Sequence, residues 1–290
     1  MQSHLFSGLR FRKYEALGND YLVVDPQDCP VAPGPKFVRA LCDRKYGVGS
    51  DGVLYGPLVD PAGFRIRIFN PDGSEAEKSG NGIRIFARYL RDAGYVKGSD
   101  GTIVTAAGNA FFRYLDPGAH RISVDMGTVT FWSQQIPVAG PYREVVDEVL
   151  MLGNRSLRIS CLSIGNPHCV VRLEGVSEAD VRILGPKIES HPMFPNRVNV
   201  QFLEVEDRGH IRIKIWERGA GYTLASGSSS CAAAGVARRL RLVDDHVRVE
   251  MPGGDIYIDF DGDGRVNMTG DVRSTIQGFV TDDLAAALET

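Results

Sequence analysis

Two short stretches of this sequence bring hydroxyl, amide and glycine together in one pattern. Ser79-Gly80-Asn81-Gly82 closes a loop that starts at Asp72, and Ser226-Gly227-Ser228-Ser229 follows a loop that starts at Arg218. Both run straight into a helical pattern. Glycine lets the backbone approach a ligand closely, and a helix start presents unused N–H donors with a partial positive charge. That suits a carboxylate or a phosphate. Serine is also a preferred N-cap, so one such loop alone reads as ordinary capping. Two at matching positions favour ligand binding, because capping does not require the flanking Gly-Asn-Gly. Neither G-x-x-x-x-G-K-[ST] nor G-x-G-x-x-G follows these strands, which leaves nucleotide binding weakly supported. Asn166-Pro167-His168 adds an amide, a rigid turn and a titratable ring, though a single histidine is more often structural. Glu217-Arg218 ends a strand and reads either as a solvated ion pair or as a substrate clamp, with Asn70 as its counterpart.

The elements that carry these residues occur twice. Asn19 and Asn166 lie 147 residues apart, each after a glycine. Phe64 to Asn70 matches Ile211 to Glu217 at the same spacing, and Ser79-Gly80 matches Ser226-Gly227. Further on, Thr105 to Leu115 is matched to Glu250 to Phe260 at 145, and Val124-Asp125-Met126 to Val266-Asn267-Met268 at 142. Arg65-Ile66-Arg67-Ile68-Phe69 has period two and predicts a half-buried strand. Ile83 to Leu90 and Cys231 to Leu240 predict helices with apolar residues on one side. Turns at Pro252-Gly253-Gly254 and Asp261-Gly262-Asp263-Gly264 separate further strands. The expected fold is mixed α/β (α+β), in two pseudo-symmetric domains: 1–127 with 271–290, and 128–270. Residues at matching positions, Ser79 and Ser226 above all, are expected to face each other across a cleft.

Composition narrows the function. With 33 Lys and Arg against 36 Asp and Glu, the net charge is −3, so there is no basic excess to displace phosphate counterions. No run of 18 apolar residues suggests a membrane span, and Met1 to Arg12 lacks the apolar stretch of a signal peptide. The five cysteines (29, 42, 161, 169 and 231) form no C-x-x-C pair and indicate neither a zinc site nor a disulfide framework. The chain is expected in the cytoplasm, without metal or cofactor. Its expected partners are a small amino-acid substrate and a second copy of the chain in a homodimer, with neither nucleic acid nor membrane.

Over nearly its whole length the sequence resembles the diaminopimelate epimerase family. The matching segments are Leu17-Gly18-Asn19-Asp20, Asn70-Pro71-Asp72-Gly73-Ser74, Ser79-Gly80-Asn81-Gly82 and Gly165-Asn166-Pro167-His168-Cys169. Arg197-Val198-Asn199, Glu217-Arg218-Gly219-Ala220-Gly221 and Pro252-Gly253-Gly254 complete them. The resemblance implies two domains, each a β-sheet wrapped around a central helix, and cofactor-independent inversion of one stereocentre of diaminopimelate in the lysine and peptidoglycan pathway. It implies two proton-transfer groups, one at the start of each central helix. By the same resemblance Asn19, Asn70, Asn166, Asn199, Glu217 and Arg218 hold the substrate, while Gly80, Asn81, Gly227 and Ser228 hold the reacting carboxylate.

This chain departs from the family at the two decisive positions. The family has cysteine where Ser79 and Ser226 stand, and usually glutamate where Tyr222 stands. A thiol ionises near pH 8.5 and a helix start lowers that further; a serine hydroxyl needs a partner to take its proton. The expected catalytic set is therefore Ser79 and Ser226, activated by His168, Glu217 or Tyr222. The alternatives are a diverged dehydratase or double-bond isomerase of the same fold, or a catalytically inactive amino-acid-binding homologue or engineered cysteine-to-serine variant.

Overall fold

The computed structural model describes residues 4–29 and 31–289. Residues 1–3 of the N-terminal stretch read above lie outside the described residues. Two compact units are present: Met1–Val124 with Gly270–Thr290, and Asp125–Thr269.

The first unit contains β1 (Arg10–Ala16), β2 (Asn19–Val24), α1 (Pro35–Cys42), β3 (Val53–Asp60), β4 (Gly63–Phe69), β5 (Glu75–Ala76), α2 (Gly80–Asp92), β6 (Asp100–Thr105), β7 (Gly108–Tyr114) and the start of β8 (Arg121–Thr128). The second unit contains β9 (Glu148–Leu152), β10 (Arg155–Ser163), β11 (Pro167–Arg172), α3 (Glu178–Glu189), β12 (Asn199–Asp207), β13 (His210–Glu217), β14 (Gly221–Thr223), α4 (Gly227–Arg239), β15 (His246–Met251), β16 (Gly254–Phe260) and most of β17 (Arg265–Asp271). The chain then returns to the first unit with β18 (Arg273–Phe279) and α5 (Asp282–Glu289).

Strand pairing gives both units one topology. The first runs β18-β1-β2-β3-β4-β6-β7-β8, with β5 appended to β4. The second runs β9-β10-β11-β12-β13-β15-β16-β17, with β14 appended to β13. Parallel pairings fall at the same two steps in each, β2–β3 and β4–β6 against β11–β12 and β13–β15. The first strand of each unit comes from the far end of the other repeat: β18 follows β17, and β9 follows β8.

The structure corrects the register of the later strands. The hairpins close at Thr105 opposite Gly108 and at Met251 opposite Gly254, a spacing of 146 rather than 145. At 146 the buried Ala110, Phe112 and Tyr114 coincide with the buried Ile256, Ile258 and Phe260, whereas 145 would set a buried face on an exposed one. Ile122 and Val266 then correspond at 144, not 142, because they pair with Tyr114 and Phe260.

Each central helix is buried all round rather than on one stripe, as expected of a helix enclosed by its own sheet. In α2 the residues from Asn81 to Ala87 are buried, with Tyr89 and Leu90; in α4 they are Gly227 and Ser229 to Ala237. The sheet curls over them, so α2 touches β1, β2, β3 and β7, and α4 touches β10 to β13, β15 and β16. A second core covers the outer face of each sheet. Phe37, Val38 and Leu41 of α1 pack with Ala285 and Leu288 of α5 over Leu22, Val24 and Val53. Val181, Leu184 and Ile188 of α3 pack over Cys169, Val171, Val200 and Phe202. Local signals start these outer helices: Pro35 at the first position of α1, and a reciprocal Ser177–Asp180 capping box on α3. No described helix is long and apolar enough to cross a membrane.

Candidate active site

In the first unit the site residues gather at the start of α2. Leu17 and Gly18 both take left-handed backbone angles, the tight turn that joins β1 to β2 and sets Asn19 at the strand start. The Asn19 amide donates to Asp51 Oδ2 at 3.1 Å. Asp51 is fixed by Arg44, which also pairs with Asp20 at 2.7 Å. Burial pushes the Asp20 carboxyl up, but hydrogen bonds from Arg44 and Lys13 outweigh it and hold the group well below the usual carboxylate range. Asn81 donates to Asn19 Oδ1 at 3.3 Å and accepts from the fully buried Arg84 at 2.7 Å. Ser79 is the N-cap of α2 and accepts from the Gly82 N–H at 3.0 Å. The Tyr21 hydroxyl donates to the same oxygen at 3.3 Å. Asn70 is turned to its own loop, donating to Ser74 Oγ at 3.0 Å.

The second unit repeats the frame with different chemistry. Asn166 Nδ2 lies 3.5 Å from Ser228 Oγ, the counterpart of the Asn19–Asn81 contact. Ser226 is the N-cap of α4 but makes no capping bond with its side chain. Glu217 ends β13, the strand that leads through the β14 loop to this cap. Burial raises the proton affinity of the Glu217 carboxyl above the ordinary range, and the Ser226 and Thr223 hydroxyls offset part of that rise without a closed hydrogen bond, Thr223 Oγ1 being buried with no hydrogen-bond partner. The N–H groups of Gly227 and Ser228, like those of Gly80 and Asn81, belong to the first helical turn, where the helix supplies no acceptor. Arg218 is exposed, and its guanidinium donates to the Asn196 carbonyl at 3.1 Å. Asn199 ties the loops together: its Oδ1 accepts from the Arg218 N–H at 2.9 Å and its Nδ2 donates to the Pro167 carbonyl at 3.0 Å.

Two residues of the expected set are held away from the serines. His168 is fully buried, and both of its ring nitrogens are in hydrogen-bond contact. Gln201 donates to Nδ1 at 3.0 Å, which places the ring proton on Nε2, 3.0 Å from Asn166 Oδ1. Burial pushes its pKa down to about 3, so the ring is neutral and orients Asn166. Tyr222 lies on the face of β14 that is turned to α3. It pairs across β13–β14 with Trp216 and carries the Arg182 guanidinium 4.8 Å above its ring, on the α3 side of the sheet. Its neighbour Thr223 lies on the other face of the strand, opposite Ile215 and on the same face as Glu217.

Sequence reasoning missed Tyr21, Asp51, Gln201 and Thr223. The signal for Tyr21 was present, since it sits 147 residues before His168 and occupies the same strand position. Among the described residues no cluster of three or more His, Cys, Asp or Glu is placed to hold a metal.

The family model for diaminopimelate epimerase matches residues 11–132 and 160–275. The chain belongs to the diaminopimelate epimerase family. "Diaminopimelate epimerase 2" of Nostoc sp. is 50% identical over 279 residues, covering 96% of this chain and 98% of that protein. The diaminopimelate epimerase of Moorella thermoacetica is 40% identical over 275 residues, covering 93% and 98%. Among solved structures, a hydroxyproline epimerase from Agrobacterium vitis with bound trans-4-hydroxy-L-proline has a TM-score of 0.66 at 16% identity, covering 97% of this chain and 98% of that one. A Bacillus anthracis phenazine biosynthesis protein of the PhzF family has a TM-score of 0.65 at 16% identity, covering 94% and 99%. These two share the fold. As a member of the diaminopimelate epimerase family, the chain is an isomerase of the racemase/epimerase type that acts on a small molecule.

Proposed function

We propose that this chain inverts the α-carbon of a diaminopimelate-like amino acid without a cofactor, with the Glu217–Ser226 pair as its proton acceptor. The observation that carries this reading is the repeated frame, in which Ser79 and Ser226 cap the two central helices at matching positions and Glu217, a carboxyl that burial raises in proton affinity, ends the strand leading to Ser226. A serine oxygen is too weak a base alone. When Ser226 passes its own proton to Glu217, its oxygen takes the α-proton of the substrate in the same step. The N–H groups of Gly80, Asn81, Gly227 and Ser228 bind the substrate carboxylate and stabilise the charge that spreads onto it. Ser79 supplies the proton that completes the inversion.

Arg218, Asn199 and Asn70 are assigned to the distal amino and carboxylate groups, for which an exposed guanidinium and amide donors are suited. Asn19 and Asn166, each oriented from behind by Asp51 and by His168, bind beside the reacting centre. The test is incubation with LL- and meso-diaminopimelate in D2O, followed by NMR. Loss of the α-proton signal with interconversion of the isomers is expected. Alkene signals, or binding with no exchange, would overturn the reading.

A further inference from the structure

The two repeats serve their serines differently. At the strand position that precedes the reacting loop, the second unit has Glu217 and the first has Asn70, whose amide is turned to Ser74. Ser79 therefore has no carboxylate from the position that serves Ser226. At the other shared position the exchange is reversed. His168 is turned away to Asn166 and Gln201, whereas its counterpart Tyr21 points its hydroxyl at Ser79 Oγ. One serine thus follows a strand that ends in a carboxyl, and the other accepts from a phenol hydroxyl.

We infer that Tyr21 is the proton reservoir for Ser79 and gives the inversion its second, acidic half. The inference rests on the α-proton chemistry proposed above. Ser79 already accepts from the Gly82 N–H and the Tyr21 O–H, so its own proton is directed elsewhere. When the Ser79 proton moves to the carbanionic α-carbon, the Tyr21 phenol proton moves onto Ser79 Oγ. One C–H bond forms, the Ser79 hydroxyl is restored and the charge ends on the phenolate. A phenol ionises near pH 10, several units below an alcohol, so the relay replaces an inaccessible serine alkoxide with a tyrosinate. In the reverse direction the phenolate accepts, again through Ser79. The 3.3 Å contact is longer than a closed O–H···O bond, as relay contacts are before a ligand seats.

The ring is held for this task. Tyr21 is 6% exposed, and a Cβ at Gly52 would lie 2.7 Å from its Cε1, so only glycine there leaves room for the ring. Tyr21 acts through Ser79 and is a positioning residue rather than one that touches substrate.

Tyr21→Phe keeps the ring against Gly52 and removes only the hydroxyl. Exchange and inversion of diaminopimelate are followed together by NMR in D2O. The variant should retain α-deuterium incorporation for the stereoisomer whose α-proton faces Ser226, lose it for the other, and invert at least tenfold more slowly with an unchanged KM. Tyr21→Phe with Ser79→Cys should recover inversion, because a thiol titrates without a phenol behind it. Inversion by Tyr21→Phe at the parent rate would overturn the inference while leaving the proposed function intact. So would a folded double variant that exchanges but fails to invert. A parent protein that neither exchanges nor inverts would overturn both.

Discussion

His168 offers a prediction whose size follows from its surroundings. The ring is fully buried and bonded on both nitrogens, and its pKa lies near 3 in the fold against about 6.5 in an unfolded chain. Between those two values the unfolded chain binds one more proton than the folded chain at this position. Stability contributed by the neutral ring is therefore present above pH 6.5 and is lost as pH falls towards 3, by about 1.4 kcal/mol per unit. At pH 5 the loss amounts to roughly 2 kcal/mol. Urea midpoints for the parent and for His168→Gln, each at pH 7 and pH 5, isolate this contribution, because other titrating groups are common to both. The parent should lose about 2 kcal/mol more than the variant over that interval. The imidazole carbon shifts of His168 should stay at neutral-ring values at pH 5. Parallel losses in the two proteins, or a His168 titration midpoint between pH 6 and 7, would refute the reasoning and return His168 to the acid–base candidates.

Three further predictions concern binding, packing and the missing thiols. Arg218→Ala should remove most of the thermal stabilisation given by diaminopimelate, weakening binding by about 1.5–3 kcal/mol, as loss of hydrogen bonds to a charged group does; an unchanged thermal shift would make Arg218 a bystander. Gly185→Ala should destabilise the fold by about 1–3 kcal/mol through overpacking, since the added Cβ would sit 2.5 Å from Cγ of Trp216 and 2.7 Å from its Cβ; a urea midpoint equal to the parent's would contradict this. Ser79→Cys with Ser226→Cys should raise the rate of diaminopimelate inversion above the parent's, and each single change should do less, because inversion needs an acid on one face and a base on the other; a double variant that binds without α-exchange would count against diaminopimelate as the substrate.

The parts of the fold legible in the sequence are those where packing leaves no freedom. The 147-residue register holds from Asn19 through both central helices because strand, loop and buried helix are locked to one another, and α2 and α4 begin and end at matching positions. Beyond them, a hairpin shifts by one residue without disturbing the helix. From Thr105 onward the sequence pattern is too weak to fix the shift, and only the buried faces of β7 and β16 decide the register. The site was legible in composition but not in direction. Asn19, Asn81, Asn166 and Ser228 form matching contacts, as repeat positions should. His168 reads as an acid or base by residue type, yet its chemistry is set by burial and by Gln201, 33 residues further on. Tyr21 sits in an apolar strand, and its hydroxyl acquires meaning only from its contact with Ser79. Tyr222 and Thr223 are neighbours in sequence on opposite faces of β14, and the strand's pleat assigns Thr223 to the site.

The central claim is that a carboxyl, not a thiol, drives α-proton removal. The direct measurement is the rate of α-deuterium incorporation into diaminopimelate as a function of pH, for the parent and for Glu217→Gln. Burial lifts the Glu217 carboxyl above the ordinary carboxylate range, and only its ionised form accepts a proton. The parent rate should therefore rise with pH along a single acidic limb whose midpoint lies above about 4.3, the value of an unperturbed glutamate. Glu217→Gln should lose that limb together with at least a hundredfold in rate, within the range that a positioned general base supplies. Exchange by Glu217→Gln at the parent rate, with the acidic limb intact, would contradict the account.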